Sequence, residues 1–516
     1  MTAPESTTIL GAVKVTGKTP DGLSLGVLQS FTQKETAQIT SPAGSRDQAV
    51  EPFGSYTVAS LRKDWGQGNT SLGGMFTSAH RWISDPALAF LPDRALTGGV
   101  DFTQYFADRS WVLEAGAVAS DVSGDPEAIR TLQTNAVHYY QRPDATHLAV
   151  KDATSLAGHG GSVLFGRSDK GRLRLTDHFH WYSPGLELND LGYLRQADLI
   201  ANQVFLGWNE PTPRGPFRSY SAQLSREDQW DFGGLHTKAR TGLEAEATLR
   251  NKWHVSGSVT AYDSMRDTRL LRGGPAIWVS DFLTSCLTGT SDPSRRAGLS
   301  LGVCNESFRD GGSSAWTYTG TLNLRPTNRL SLTAQLVRTL GEDDLQYVAT
   351  ADAGDGTRWV LGRIDQDTWA VTFRVDLSLT PRLTVQYYGS PFIGTGRYAG
   401  FKKATETLAS RYEDRFHRLG DDEIAYEPQD NRYQVSESGG GSYTFANPDF
   451  SFRQFRSNLV LRWEFKPGSS LYLVWSQDRT SSIQTWDGSL GNNLDALRRT
   501  PATNVLLAKL SYWFSL

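Results

Sequence analysis

Apolar and polar residues alternate with a period of two over long stretches of the chain. From Thr368, Trp369, Val371, Phe373, Val375 and Leu377 fall on one side, with Thr368, Ala370, Thr372, Arg374, Asp376 and Ser378 on the other. The same alternation recurs from Gly242 (Leu243, Ala245, Ala247, Leu249 against Glu244, Glu246, Thr248, Arg250). It recurs again from Asn328 (Leu330, Leu332, Ala334, Leu336) and from Ser457 (Leu459, Leu461, Trp463, Phe465). Period two puts successive side chains on opposite faces of a strand. Each run spans about ten residues, against about five or six for a strand of a globular protein. Ten is the number a tilted strand needs to cross a bilayer.

Turn residues punctuate these runs. Thr19-Pro20-Asp21-Gly22, Arg325-Pro326-Thr327-Asn328, Thr380-Pro381-Arg382 and Lys466-Pro467-Gly468-Ser469 each separate two alternating stretches. Pro presets one turn dihedral and Gly or Asn accepts the left-handed one, so each reads as a tight hairpin. Other connections are far longer, notably 263–297 and 389–451. Short turns at one end and long loops at the other characterise an antiparallel up-and-down transmembrane β-barrel. About twenty candidate strands can be read, which predicts a barrel of about 18–22 strands. The whole of 1–516 reads as one outer-membrane barrel domain, with 395–450 as a long loop and candidate lumen plug. A lumen of that width is either a channel or filled by loops. The closing segment alternates Leu506, Ala508, Leu510, Tyr512, Phe514 and Leu516 with polar or mixed positions, as a last strand that seals a barrel does. A soluble sandwich would bury the apolar face against a second sheet, and periodicity alone does not separate the two.

Composition agrees with an all-β chain. Of 516 residues, 50 are Gly, aromatics make up 11% and Met only 3. No run of about 18 apolar residues occurs, which excludes a transmembrane helix. A net charge of −3 excludes a strongly basic nucleic-acid binder. The opening MTAPESTTILGAVKV has no basic segment, apolar core or small-residue cleavage site. Set against a barrel in an outer membrane, this leads us to expect a chain whose signal peptide and upstream part are missing.

Four longer segments carry a family signature: SPGLELNDLGYLRQAD (183–198), DQWDFGG (228–234), YYGSPFIGTGRYAGFKKATETLASRYEDRFH (387–417) and NPDFSFRQFRSNLVLRWEFKPGSSLYLVWSQ (447–477). With the ILGAVKVTGKTPDGLSLGVL opening and the LSYWFSL ending, they resemble the family DUF5916 over nearly the whole chain. The resemblance implies a C-terminal outer-membrane-type β-barrel of unknown function. In that family a signal peptide and a module resembling carbohydrate-binding family 9 usually precede it, and both are expected to lie outside this sequence. Family members often carry a calcium-loop-like segment before NPDF. Here Val435–Tyr443 keeps a single carboxylate, Glu437, whereas calcium takes six to eight oxygens, so no metal is expected there.

The chemistry-bearing residues give no catalytic constellation. There is no HExxH and no GxSxG, and the nine His do not cluster at ligand spacing. The expectation is no enzyme, no metal and no cofactor, with a barrel-embedded hydrolase as a minor alternative. Arg397, Arg411, Arg415, Arg453 and Arg456 gather around the family-like motifs with Tyr398 and Tyr412. They read either as contacts for a polar or anionic solute or as braces paired with Glu413, Asp414 and Asp449. Asn189, Asp190 and Arg195 read either as a plug contact or as a solute site. Cys286 and Cys304 are either a disulfide stapling one exposed loop or two separate thiols. The partners expected are outer-membrane lipid and a polar solute or glycan, the glycan resting only on the family resemblance. The functional expectation is a channel or export pore. A non-conducting anchor or scaffold for a periplasmic binding module stands beside it.

Overall fold

The computed structural model describes residues 4, 6–41, 44–167, 171–263 and 265–514. The expected terminal residue of the closing strand, Leu516, lies outside them. The fold is all-β. Among the described residues the long strands belong to one antiparallel sheet of 22 strands, one of which is the three-residue strand Phe416–Arg418, and the 21 long ones fall within the range read from the alternation. This is the up-and-down architecture of the transmembrane β-barrel class. No helix among the described residues is long and apolar enough to cross a membrane.

The chain divides into two compact units. In the first, Ile9–Lys18, Leu23–Thr32, Phe53–Trp65, Thr70–Trp82, Arg94–Phe106, Trp111–Ser123, Ser155–Arg167, Leu173–Tyr182 and Leu199–Glu210 form a meander, each pairing with the next. In the second, the order is His254–Asp263, Phe282–Thr290, Ala297–Phe308, Ser314–Thr327, Leu330–Asp352, Thr357–Thr380, Leu383–Ala404, Phe450–Lys466, Ser469–Ile483 and Thr503–Ser511. The strands Phe217–Trp230 and His236–Leu249 run through both units. All four predicted tight turns are present, and Gly22 and Gly468 take the left-handed φ values of +88° and +79° that their turns require.

Register decides which residues share a face. In the first unit Leu25 opposes Leu61, Leu61 opposes Gly74, Gly74 opposes Val100 and Val100 opposes Ala117. In the second, Leu459 opposes Trp475 and Trp475 opposes Leu506, while Leu461 opposes Leu473. These apolar files are bare: Leu61 is 52% exposed and Leu506 81%. A soluble sheet would cover such a continuous apolar face, and a sheet in lipid leaves it open. The opposite face carries Thr, Ser, Gln, Arg and Asp.

Three consecutive strands, Leu330–Asp352, Thr357–Thr380 and Leu383–Ala404, have 22 to 24 residues, twice the length needed to span a bilayer. Residues 395–404 therefore belong to a strand. Later parts of 395–450 fold as a small sheet of Ile424–Glu427, Arg432–Ser436 and Ser442–Ala446. Val435, Tyr443 and Phe445 of that sheet pack with Ala353, Val360 and Phe401 at the ends of the long strands. Cys286 and Cys304 form a disulfide. It does not staple an exposed loop. The two residues are directly paired on neighbouring strands, so it ties adjacent strands across the ladder.

Candidate functional site: a folded insertion on the polar face

Within the first unit, the connections 124–154, 183–198, 231–235 and 265–279 fold together. The first opens with the helix Pro126–Thr134. Asp125 caps it by accepting from the Glu127 amide, Pro126 holds the first-turn dihedral and Glu127 adds negative charge at the N-terminus. Ala128 and Ile129 of this helix are fully buried. The segment 183–198 lies directly on the strand Ser155–Arg167. A Cβ placed on Gly158 would lie 2.0 Å from the Leu186 nitrogen, and one on Gly185 would lie 2.2 Å from the Ala157 carbonyl oxygen. Only glycines permit this approach. Gly158 and Ser120 alternate with the bare apolar file, so the insertion sits on the polar face. Leu186, Leu194 and Ala197 form its apolar centre with Val118 and Val137.

The insertion is held mainly by buried polar groups. The Glu187 amide donates to Ser120 Oγ at 3.0 Å. The Glu187 carboxylate accepts from the Asn189 amide and from Asn189 Nδ2, both at 2.7 Å, and meets His138 Nε2 at 3.0 Å. His138 Nδ1 faces the Pro184 carbonyl at 2.8 Å, and a carbonyl can only accept, so Nδ1 carries the proton. A proton between Nε2 and the Glu187 carboxylate then joins the two side chains in a buried hydrogen bond. Burial opposes the charge on Glu187, but His138 and the Asn189 donors outweigh it and hold its pKa below the ordinary value. Asp190 forms an ion pair with Arg81 at 2.7 Å.

A second polar centre lies in the same insertion. Arg142 pairs with Asp144 at 3.0 Å and approaches Asp231 and Asp198 at 3.6 and 3.9 Å. His147 Nε2 stands 3.0 Å from both carboxylate oxygens of Asp198. Burial, with the nearby Asp198 charge, raises the pKa of Asp231. Burial and Asp198 also push the Tyr140 phenol up to about 12.

The residues singled out from sequence fall in several places. Asn189 is an internal tie of the insertion, its Oδ1 accepting from the Leu194 amide at 2.8 Å; Asp190 ties the insertion to Arg81 of the strand Thr70–Trp82, and Arg195 is exposed. In the second unit the arginines do not converge. The Arg397 guanidinium lies 5.3 Å from the centre of the Trp486 ring, and Arg453 Nε donates to Asn493 Oδ1 at 2.6 Å. Both occupy odd positions, on the face of Trp369 and Leu459. Arg456, on the other face, pairs with Asp478 at 2.8 Å. Buried Arg415 donates to the Ala409 and Ser410 carbonyls. Arg411 stands 3.9 Å from Asp414. The Tyr398 amide donates to Asp449, and the Tyr412 hydroxyl and buried Lys402 Nζ both reach Asp344 Oδ2 at 2.5 Å. Burial, reinforced by Asp344, raises the Tyr412 pKa. The centres that sequence reasoning missed are His138, Arg142, His147, Glu187, Asp198 and Asp231. Three of them, Glu187, Asp198 and Asp231, stand inside the family-like motifs, and that placement was the available signal.

The chain matches the model of the family described as "Domain of unknown function (DUF5916)" over residues 1–84 and 121–515. It belongs to this family. Both the first insertion's core motifs and the long-strand region of DUF5916 fall inside the matched residues. No curated protein matches the chain. Among solved structures, the siderophore receptor PirA from Acinetobacter baumannii shares 8% identity, covering 96% of this chain and 74% of that one, with a TM-score of 0.41. The FrpB iron transporter from Neisseria meningitidis shares 9% identity, covering 93% and 76%, with a TM-score of 0.39. An anion-selective porin from Comamonas acidovorans shares 12% identity, covering 65% and 90%, with a TM-score of 0.29.

Proposed function

We propose that this DUF5916 chain is an outer-membrane β-barrel that passes a polar solute, with the insertion of its first unit acting as a built-in constriction. The observation that supports it is the division of the sheet's two faces. One is a bare apolar surface suited to lipid. The other is polar and carries a folded, ion-paired insertion. Hydroxyls, carboxylates and guanidinium groups along that face suit a hydrated polar solute, and a glycan is the class that the family's accompanying module suggests. In this reading the chain binds and passes rather than catalyses.

The second reading, a non-conducting anchor, draws on the same insertion, because a permanent plug also needs internal ties. Single-channel recording of the refolded chain in a planar bilayer separates the two. A heat-modifiable gel shift serves as the control for folding. Stable conductance from a folded chain supports passage. A folded chain that stays silent, and still does so when 183–198 is replaced by a short Gly/Ser linker, refutes it in favour of anchoring. A chain that never yields a heat-modifiable form in lipid refutes the lipid-facing assignment itself.

A further inference from the structure

We propose that His147, Asp198 and Asp231 bind one divalent transition-metal ion of the Zn2+ type inside the insertion of the first unit. One ligand atom from each residue lies within 4.8 Å of the other two. His147 Nε2 is equidistant, at 3.0 Å, from both Asp198 oxygens. Nitrogen and oxygen ligands bound at about 2.0–2.2 Å to a shared ion stand roughly 3–3.5 Å apart, close to the His147–Asp198 spacing, with an Asp231 oxygen within 4.8 Å.

The charge tally makes the same demand independently. Asp144, Asp198 and Asp231 surround the guanidinium of Arg142, with His147 against Asp198, so three carboxylates share one fixed positive charge and carry a surplus of acidic groups. The Asp198 and Asp231 side chains are only 7% and 4% exposed. Arg142 does not close the cluster. It spends its short contact on Asp144, stands beyond hydrogen-bond distance from the other two carboxylates, and leaves its buried Nε without a partner. A divalent cation balances the surplus. One imidazole with two carboxylates is a borderline donor set that suits Zn2+ or Mn2+ better than Ca2+.

The surrounding chain holds these ligands in place. The Phe232 amide donates to Asp198 Oδ1 at 2.9 Å and the Leu235 amide to Asp231 Oδ1 at 2.8 Å. Asp198 takes a left-handed φ of +54°, a conformation a non-glycine residue holds only when its surroundings enforce it. The His147 ring rests on Gly233, where a Cβ would lie 2.4 Å from Nδ1. His147 also lines a cavity of about 420 Å3 with Tyr140, Thr146 and Lys151, which gives an ion a route to the imidazole.

The test uses the full refolded chain, stripped with EDTA and equilibrated with Zn2+ and, separately, Mn2+, with bound metal read by mass spectrometry. The wild type should retain one equivalent of Zn2+. H147A and D231N should each bind it at least about 10-fold more weakly, while D414N, an exposed carboxylate of the second unit, should match the wild type. Retention of neither ion by the wild type, or equal retention by wild type, H147A and D231N, overturns the proposal. If the variants do not fold, Co2+ added to the wild type decides: a visible ligand-field band that Zn2+ abolishes supports the site, and no band overturns it. Conductance plays no part in this readout, so the passage reading and the metal site can fail separately.

Discussion

Replacing His138 with alanine removes the hydrogen-bonding partner of a carboxylate that is almost completely sealed from water. The two side chains are 0% and 2% exposed. Breaking such a pair from one side costs about 3–5 kcal/mol, because the remaining charge stays buried. Glu187 keeps its two Asn189 donors, which places H138A near the lower end, about 3 kcal/mol. The loss falls on a local unit, the segment 183–198 lying on Ser155–Arg167. At about 1.4 kcal/mol per decade, amide exchange in 183–198 should accelerate on the order of 100-fold while the strands beneath change little. Hydrogen–deuterium exchange by mass spectrometry resolves the two. The double variant H138L/E187M, which replaces the pair with apolar side chains of similar bulk, should return within about 1 kcal/mol of wild type. The pH dependence has a defined sign. The folded pKa of Glu187 is depressed below 4.5, so its stabilisation is complete above that value and is lost as pH falls through the lower folded one. Opening of the segment, corrected for intrinsic exchange, should therefore rise as pH falls through the lowered folded value of Glu187. An acceleration below about 3-fold in H138A, or one spread evenly over the sheet, would refute the reasoning.

Three further outcomes follow from the geometry. G158A puts a methyl group 2.0 Å from the Leu186 nitrogen and should release 183–198 as strongly as H138A in the same exchange experiment, whereas G11A, which meets nothing within 4 Å, should leave exchange unchanged. F373R, on the bare apolar face, should cost about 2–4 kcal/mol of folding free energy in lipid vesicles if it lies near the bilayer midplane, and T372R on the opposite face less than about 1, both read from urea titrations. C286S/C304S removes a cross-link with a sequence separation of 18 and should lower stability by about 3 kcal/mol. It should shift the gel heat-modifiability midpoint downward by the amount that a reducing agent shifts the wild type.

The sheet was legible because its signal is local. Alternation at Thr368–Leu379 or Ser457–Phe465 needs only the two faces to meet different surroundings, and Pro, Gly and Asn mark the turns at 19–22, 325–328, 380–382 and 466–469. The stretch 343–364 was harder to read. Its strand pairings carry register shifts between Asp343 and Gln346 and again between Tyr347 and Ala349, and each extra residue flips the alternation. The disulfide was legible as a pair but not in kind: spacing of 18 suits a loop staple, and only the register shows that Cys286 faces Cys304. The arginine cluster looked coherent because its members are close in sequence, yet alternation sends Arg453 and Arg456 to opposite faces. The insertion was least legible of all. His138 meets Glu187 from 49 positions away and His147 meets Asp198 from 51, and no local pattern announces a contact at that range.

The two accessory pieces are held by different forces, and the difference bears on function. The small sheet of the second unit docks through an apolar cluster of Val360, Phe401, Val435, Tyr443 and Phe445. Such contacts add stability in proportion to area and are indifferent to small shifts. The insertion of the first unit is tied to the polar face by Glu187 to Ser120, Asp190 to Arg81 and the glycine approach at Gly158. Buried charge pairs contribute little net stability against apolar packing, but they penalise every misplaced arrangement. A segment whose only task was to fill space would gain more from leucines. One that must sit in a single place, and leave it as a unit, gains from polar ties. Combining the exchange and conductance measurements turns this into a decision. If the insertion gates passage, H138A and G158A raise both loop exchange and conductance. If it is a fixed plug in an anchor, they raise exchange and the bilayer stays silent.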